Sequence, residues 1–128
     1  MAKQPQPCPC GSGLSLTNCC QPLLQGMPAP TPEALMRSRY TAYTLRNVAY
    51  LQSSWHATTR PAELDLNDNP PTKWIGLEIK HSSETENVGE VEFIARYKVN
   101  GRAGKLHETS RFRKVDGYWQ YIDGDMVE

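Results

Sequence analysis

Val91-Glu92-Phe93-Ile94-Ala95-Arg96-Tyr97-Lys98-Val99 decides the fold. Its apolar positions recur with a period of two, so Val91, Phe93, Ala95, Tyr97 and Val99 share one face of a strand. Asn100-Gly101 follows as a turn signal, and a second strand is predicted over Lys105 to Val115. Asp116-Gly117 is a tight hairpin signal, and Tyr118 to Asp123 closes the set. Upstream, Trp74 to Lys80 reads as a further strand. Residues 61–73, with Asn67, Asp68, Asn69, Pro70 and Pro71, read as a loop.

Before that loop the period changes. Thr31-Pro32-Glu33 combines a hydroxyl cap, a proline at the first helical position and an acid in the first turn. Leu35, Met36, Tyr40, Tyr43 and Leu51 recur at helical spacing, and glycine is absent from Thr31 to Arg60. A helical hairpin or bent helix fits, with Asn47 capping a second helix to about Ser54. Helix, helix, then four antiparallel strands, without βαβ alternation, is an α+β arrangement of a sheet folded over helices.

The first 32 residues are different. They hold all the cysteines, seven of the ten prolines and one charged side chain, Lys3. This gives an expected division into a module at 1–25, a Pro-rich linker at 26–30 and an α+β domain at 31–128. The module has too little apolar content to order itself by burial. A knuckle on such a tether is expected to move partly independently of the domain. Lys plus Arg is 14 and Asp plus Glu is 14, so the formal net charge is zero. That balance argues against nucleic acid or an acidic membrane as the main partner. No apolar run approaches the roughly 18 residues of a membrane span. Without a recognisable export signal, a soluble cytoplasmic protein is the expectation.

Cys8, Cys10, Cys19 and Cys20 form the pattern C-x-C-x8-C-C. Thiols this close together cannot staple distant segments, so the density reads as a metal site. Four thiolates satisfy the tetrahedral preference of Zn²⁺. Gly11-Ser12-Gly13 lets the chain turn back and brings hydrogen-bond donors near the sulfurs. The alternatives are a vicinal Cys19–Cys20 disulfide, a redox pair and an iron–sulfur cluster.

Cys8-Pro9-Cys10-Gly11-Ser12-Gly13 with Cys19-Cys20 resembles the SEC-C zinc motif at the C-terminus of the SecA translocation ATPase. Protein-binding versions of that motif carry a Lys-rich stretch after the second glycine. Here the stretch is Leu14-Ser15-Leu16-Thr17, so the resemblance carries over the metal site and not the basic docking surface. Met36 to Tyr43, Glu92 to Tyr97, His107 to Phe112 and Trp119 to Gly124 resemble the YchJ-like family of bacterial proteins. That resemblance implies a SEC-C motif followed by a nuclear transport factor 2-like (NTF2-like, or cystatin-like) cone of helices packed on a curved antiparallel sheet. It implies no biochemical role.

Two functions follow as expectations. The first is a protein-interaction or adaptor role, with Leu14, Leu16, Leu23 and Leu24 as the contact surface of the knuckle; the same leucines would serve equally to pack it on the helices. The second is a small-molecule pocket, with or without catalysis. Leu106, Glu108, Ser110 and Phe112 share a strand face, and Leu106 and Phe112 turn it inward. Glu108 and Ser110 are then polar groups in an apolar surface, with Arg39, Tyr43 and His56 as helical partners and Trp55 as a wall. A structural Glu108–Arg39 pair is the simplest form of this arrangement. His81, His107 and Glu92 are the other titratable candidates. No nucleophile–base pairing, P-loop or dinucleotide fingerprint is present, so no reaction is assigned. Arg96, Arg102, Arg111, Arg113 and Lys114 read as a solvated strand face beside nearby glutamates.

Overall fold

The computed structural model describes residues 7–64 and 72–127. Helix α1 spans Gln21–Leu24, α2 Pro32–Leu45 and α3 Val48–Ser53; the strands are β1 Thr72–Glu84, β2 Val88–Val99, β3 Arg102–Val115 and β4 Tyr118–Met126. A short 3-10 turn covers Leu16–Asn18. The sheet is an antiparallel meander in the order β1-β2-β3-β4. This is the expected α+β architecture, with helices packed on a four-stranded antiparallel sheet.

Local chemistry starts and stops the elements. Thr31 Oγ1 accepts from the Ala34 amide at 3.1 Å, with Pro32 behind it in the first turn of α2. Arg46 then takes a left-handed φ of 57°, which ends α2. Asn47 Oδ1 accepts from the Tyr50 amide at 3.1 Å and starts α3, so the expected helical hairpin breaks at Arg46. The turns at Asn100-Gly101 and Asp116-Gly117 all have positive φ, as a two-residue hairpin with right-handed twist requires.

Every strand runs longer than its sequence pattern. Thr72 and Lys73 pair with Val99 and Lys98, so β1 takes the end of the expected loop; residues 65–71 of that loop lie outside the described residues. Backbone pairing prolongs a strand past the point where side-chain alternation fades. A bulge between Trp74 and Gly76 shifts the phase of β1, so Trp74 and then Leu77 and Ile79 all pack against the core.

The core lies between α2 and the inner sheet face. Val91, Phe93 and Ala95 of β2 and Phe112 of β3 are buried there, as the alternation predicts. Leu51 and Val91 are fully buried, each stabilising the fold by about 1.5–3 kcal/mol through removal from water. Gly89 is where β2 passes the start of α2: a Cβ there would lie 2.3 Å from Pro32 Cγ. The exit of α3 is pinned to β4 by Tyr121 N donating to Ser54 O at 2.9 Å and His56 N donating to Tyr121 O at 2.7 Å.

The N-terminal module is not loosely tethered. Cys8, Cys10, Cys20 and Leu23 belong to the same buried cluster as Leu35, Met36 and Tyr40 of α2, and Leu16 packs against it. Ala29, within the expected linker, is also buried in this cluster. This packing gives the linker and module the apolar anchor that the expectation of partly independent motion assumed was missing. A module without a core of its own gains burial by sharing that of the helix beside it.

Candidate functional site

Gly11 and Gly13 have φ values of 79° and 89°, and they turn the chain between the two cysteine pairs. The Cys8 amide closes this turn by donating to Leu14 O at 3.0 Å. The Cys19 amide donates to Leu16 O at 3.2 Å, which brings Cys19-Cys20 back on a 3-10 turn. All four Sγ atoms then lie within 4.8 Å of one another. Three of the cysteines are buried and Cys19 is partly so.

The donor set fits zinc. A tetrahedron with Zn–S of about 2.3 Å has sulfur–sulfur edges of about 3.8 Å. Cys10 Sγ and Cys19 Sγ are 3.6 Å apart, and Cys19 Sγ and Cys20 Sγ are 3.9 Å apart. The second distance is far beyond the roughly 2.05 Å of a disulfide, and all four thiols are free. Hydroxyls face the sulfurs: Ser12 Oγ is 3.1 Å from Cys19 Sγ, and Thr41 Oγ1 donates to Cys20 Sγ at 3.3 Å. Arg37 Nη1 donates to Cys10 O at 2.9 Å while its Nε bonds Glu33 at 3.1 Å. Hydrogen bonds from Cys20, Ser12 and Cys8 outweigh burial and draw the Cys10 thiol down to about 4. Donating to Cys10, together with burial, pushes Cys20 up.

Helix α2 divides its residues between two sites. Arg37 and Thr41, one turn apart, meet the cysteine module. Met36, Arg39, Tyr40 and Tyr43 line a cavity of about 240 Å³ against the sheet. Glu108 and Ser110 of β3 and Tyr121 of β4 lie on the opposite wall. Of the residues singled out from sequence, Arg39, Tyr43, Glu108 and Ser110 meet in this cavity. His56 and Trp55 are not part of its wall. The His56 ring turns to Thr58 Oγ1 at 2.8 Å, and Trp55 stands behind Arg39.

The expected Glu108–Arg39 pair is not formed. Arg39 is 3% exposed, and its Nη1 donates to Leu51 O at 2.9 Å and to Ser54 Oγ at 2.7 Å. Its guanidinium carbon lies 4.9 Å from the Trp55 ring centre and 4.5 Å from that of Tyr121. The planar cation is held by two ring quadrupoles and by acceptors of α3. Burial pulls the Arg39 pKa below its ordinary value. Glu108 instead accepts from Ser110 Oγ at 2.7 Å. It lies over Gly124, where a Cβ would come within 2.7 Å of its carboxylate. Tyr121 is pushed up to about 12, first by burial and then by the nearby charge of Glu108.

Arg37, Tyr40, Thr41, Trp74 and Tyr121 are among the residues that sequence reading missed. Thr41 is one turn from Arg37, but that face has meaning only once the module docks there. His107 Nε2 lies 2.7 Å from a Glu92 oxygen on the outer sheet face, away from the cavity, and His81 is exposed. Arg111 pairs with Asp123 and Asp125 at 2.7 and 2.6 Å, as a solvated strand face would. No helix among the described residues is long and apolar enough to cross a membrane.

The family description "YchJ, middle NTF2-like domain" matches residues 31–124. The chain belongs to the YchJ-like family. Within it, the chain is 47% identical over 132 residues to a UPF0225 protein of Ralstonia nicotianae, covering 94% of this chain and 91% of that one. It is 52% identical over 120 residues to a UPF0225 protein of Deinococcus radiodurans, covering 92% and 88%. The fold is similar to the solution structure of a SEC-C motif containing protein from Rhodopseudomonas palustris. The TM-score is 0.83 at 38% identity, over 94% of this chain and 98% of the other. A crystal structure of a SEC-C motif containing protein from Psychrobacter arcticus is similar with a TM-score of 0.74 at 29% identity, over 98% and 84%. This YchJ-like chain thus joins a SEC-C cysteine motif to an NTF2-like domain.

Proposed function

We propose that this YchJ-like protein binds a small molecule in the cavity of its NTF2-like domain, and that one structural zinc ion holds the SEC-C module against that domain. One observation carries the cavity reading. Arg39, Tyr43, Glu108 and Ser110 set a few polar groups into a largely apolar wall, on the rigid elements α2 and β3. Such a wall suits ligand recognition, because apolar area supplies affinity and sparse polar groups fix orientation.

Cys8, Cys10, Cys19 and Cys20 would hold the zinc. A four-thiolate site is closed to substrate, so the ion supplies order and no chemical step. The division into 1–25, 26–30 and 31–128 belongs to this proposal. Metal analysis of the protein reconstituted with zinc should give one ion per chain, and no stoichiometric metal would remove the zinc part. For the cavity, the zinc-loaded chain is screened against a broad panel of small metabolites while NMR signals of Tyr43, Ala95 and Leu106 are followed. At least one compound should shift these signals saturably. Silence across the panel counts against the reading.

A protein-interaction role for the module is the second reading. It rests on Leu14 and Met27, which are 54% and 60% exposed, whereas Leu23 and Leu16 are used in docking. A partner recovered with the wild-type chain should be lost when both exposed residues become serine. Retention of every partner by that variant would set this reading aside.

A further inference from the structure

We infer that the cavity takes a small bipolar molecule, with a carboxylate for Arg39 and an amine for Glu108 on a compact apolar body. This rests on the cavity reading above and names the ligand class.

Arg39 is the first reason. It is a buried cation on the cavity wall, and among the described residues it forms no ion pair. Leu51 O and Ser54 Oγ both accept from Nη1. A guanidinium has five N–H donors in a fork, so donor capacity remains. The Tyr43 phenol is a further hydrogen-bond partner of the guanidinium, and the phenols of Tyr121 and Tyr50 lie nearby. The rings of Trp55 and Tyr121, set edge-to-face to one another at 5.0 Å, lie 4.9 and 4.5 Å from its guanidinium carbon and fix its position. A held guanidinium with no carboxylate partner among the described residues is a group that a carboxylate ligand completes.

Glu108 is the second. It faces the same cavity from β3, and among the described residues only Ser110 Oγ donates to it. A carboxylate has about four lone-pair sites, so it can accept further donors. It would repel a simple acid and Arg39 would repel a simple amine. A ligand carrying both charges satisfies both walls, and its own charges stay paired across the site.

Size and lining set the body. At about 240 Å³ the cavity falls below the roughly 300–1,000 Å³ of sites for drug-sized ligands. Met36, Phe93, Ala95 and Leu106 offer the rest of the molecule an apolar surface.

The test uses four probes with one branched body: leucine, 4-methylpentanoate, 3-methylbutylamine and 3-methylbutanol. Each is titrated into the zinc-loaded full chain while the signals of Tyr43, Ala95 and Leu106 are followed. Leucine should bind at least tenfold tighter than the other three. Glu108→Gln should weaken leucine about tenfold and leave 4-methylpentanoate unchanged or tighter. Arg39→Gln should erase the advantage of the carboxylate; should that variant not fold, Glu108→Gln carries the comparison. Equal binding of all four, or tighter binding of the acid or the amine alone, overturns the bipolar assignment and leaves the cavity as a binding site. No response to any of the four also overturns it, and the broader metabolite panel then decides the cavity reading separately.

Discussion

Thr41 donates its hydroxyl to Cys20 Sγ across 3.3 Å, and 21 positions of chain separate the two residues. The same oxygen is 3.7 Å from Cys8 Sγ. A helix of the NTF2-like domain therefore supplies a hydrogen bond to the cysteine cluster, and the cluster has this bond only when the module is docked.

Thr41→Val tests that bond. Valine keeps the shape and removes the donor. Outer-shell partners of metal ligands are typically worth 10- to 100-fold in affinity. Competition with a chromophoric chelator should show zinc affinity falling by about that factor, with circular dichroism unchanged. Wild-type affinity would mean that the hydroxyl only fills space.

Metal removal should reach beyond the module. Because Cys8, Cys10 and Cys20 share a buried cluster with Leu35, Met36 and Tyr40, chelation should destabilise α2 and the sheet as well. A ligand present at a thousand times its Kd stabilises the folded state by about 4 kcal/mol. Thermal unfolding should therefore show one transition, lowered by chelator. A separate early loss of residues 7–25 with an unmoved main transition would mean that the two parts are energetically independent.

Gly89→Ala should be costly and Gly76→Ala should not. A Cβ on Gly89 would meet Pro32 Cγ at 2.3 Å and Ser83 O at 3.3 Å, whereas one on Gly76 meets nothing within 4 Å. Overpacking of this kind costs about 1–3 kcal/mol, while an open surface substitution stays within about 0.5 kcal/mol. Urea midpoints of the two variants provide the comparison. Equal effects would show that α2 can move away from β2 freely.

Tyr121 links the cavity to alkaline pH. Its pKa is raised to about 12 in the folded chain, against about 10 for an unperturbed phenol. Its contribution to stability is full below pH 10 and is lost as pH rises toward 12, because the unfolded chain gives up the proton first. Glu108→Gln removes a nearby negative charge that disfavours the phenolate. The Tyr121 pKa should fall in that variant, but only part of the way, since burial is the larger cause. Ultraviolet or NMR titration of the tyrosines measures it, and an unchanged value would place Glu108 too far away to matter.

Several features were decided by neighbours along the chain. The alternation from Val91 to Val99 assigned the inner face of β2, and Asn100-Gly101 and Asp116-Gly117 set the two hairpins that order three strands. Thr31, Pro32 and Asn47 placed the helix starts within a residue, because capping is satisfied within one turn. Cys8, Cys10, Cys19 and Cys20 lie close enough in sequence that ligand chemistry alone identified the cluster. Other features depended on contacts between distant segments. Docking of the module on Arg37 and Thr41, the bulge that keeps Trp74 and Leu77 on one face, and the contact of Arg39 with the rings of Trp55 and Tyr121 have no local signal. Arg39 was legible as a buried polar residue, but its partner was not. Leu51 O and Ser54 Oγ, brought close by the break at Arg46, reach the guanidinium, and Glu108 is held by Ser110 instead. The choice among acceptors was settled by packing, which no pattern of residue types encodes.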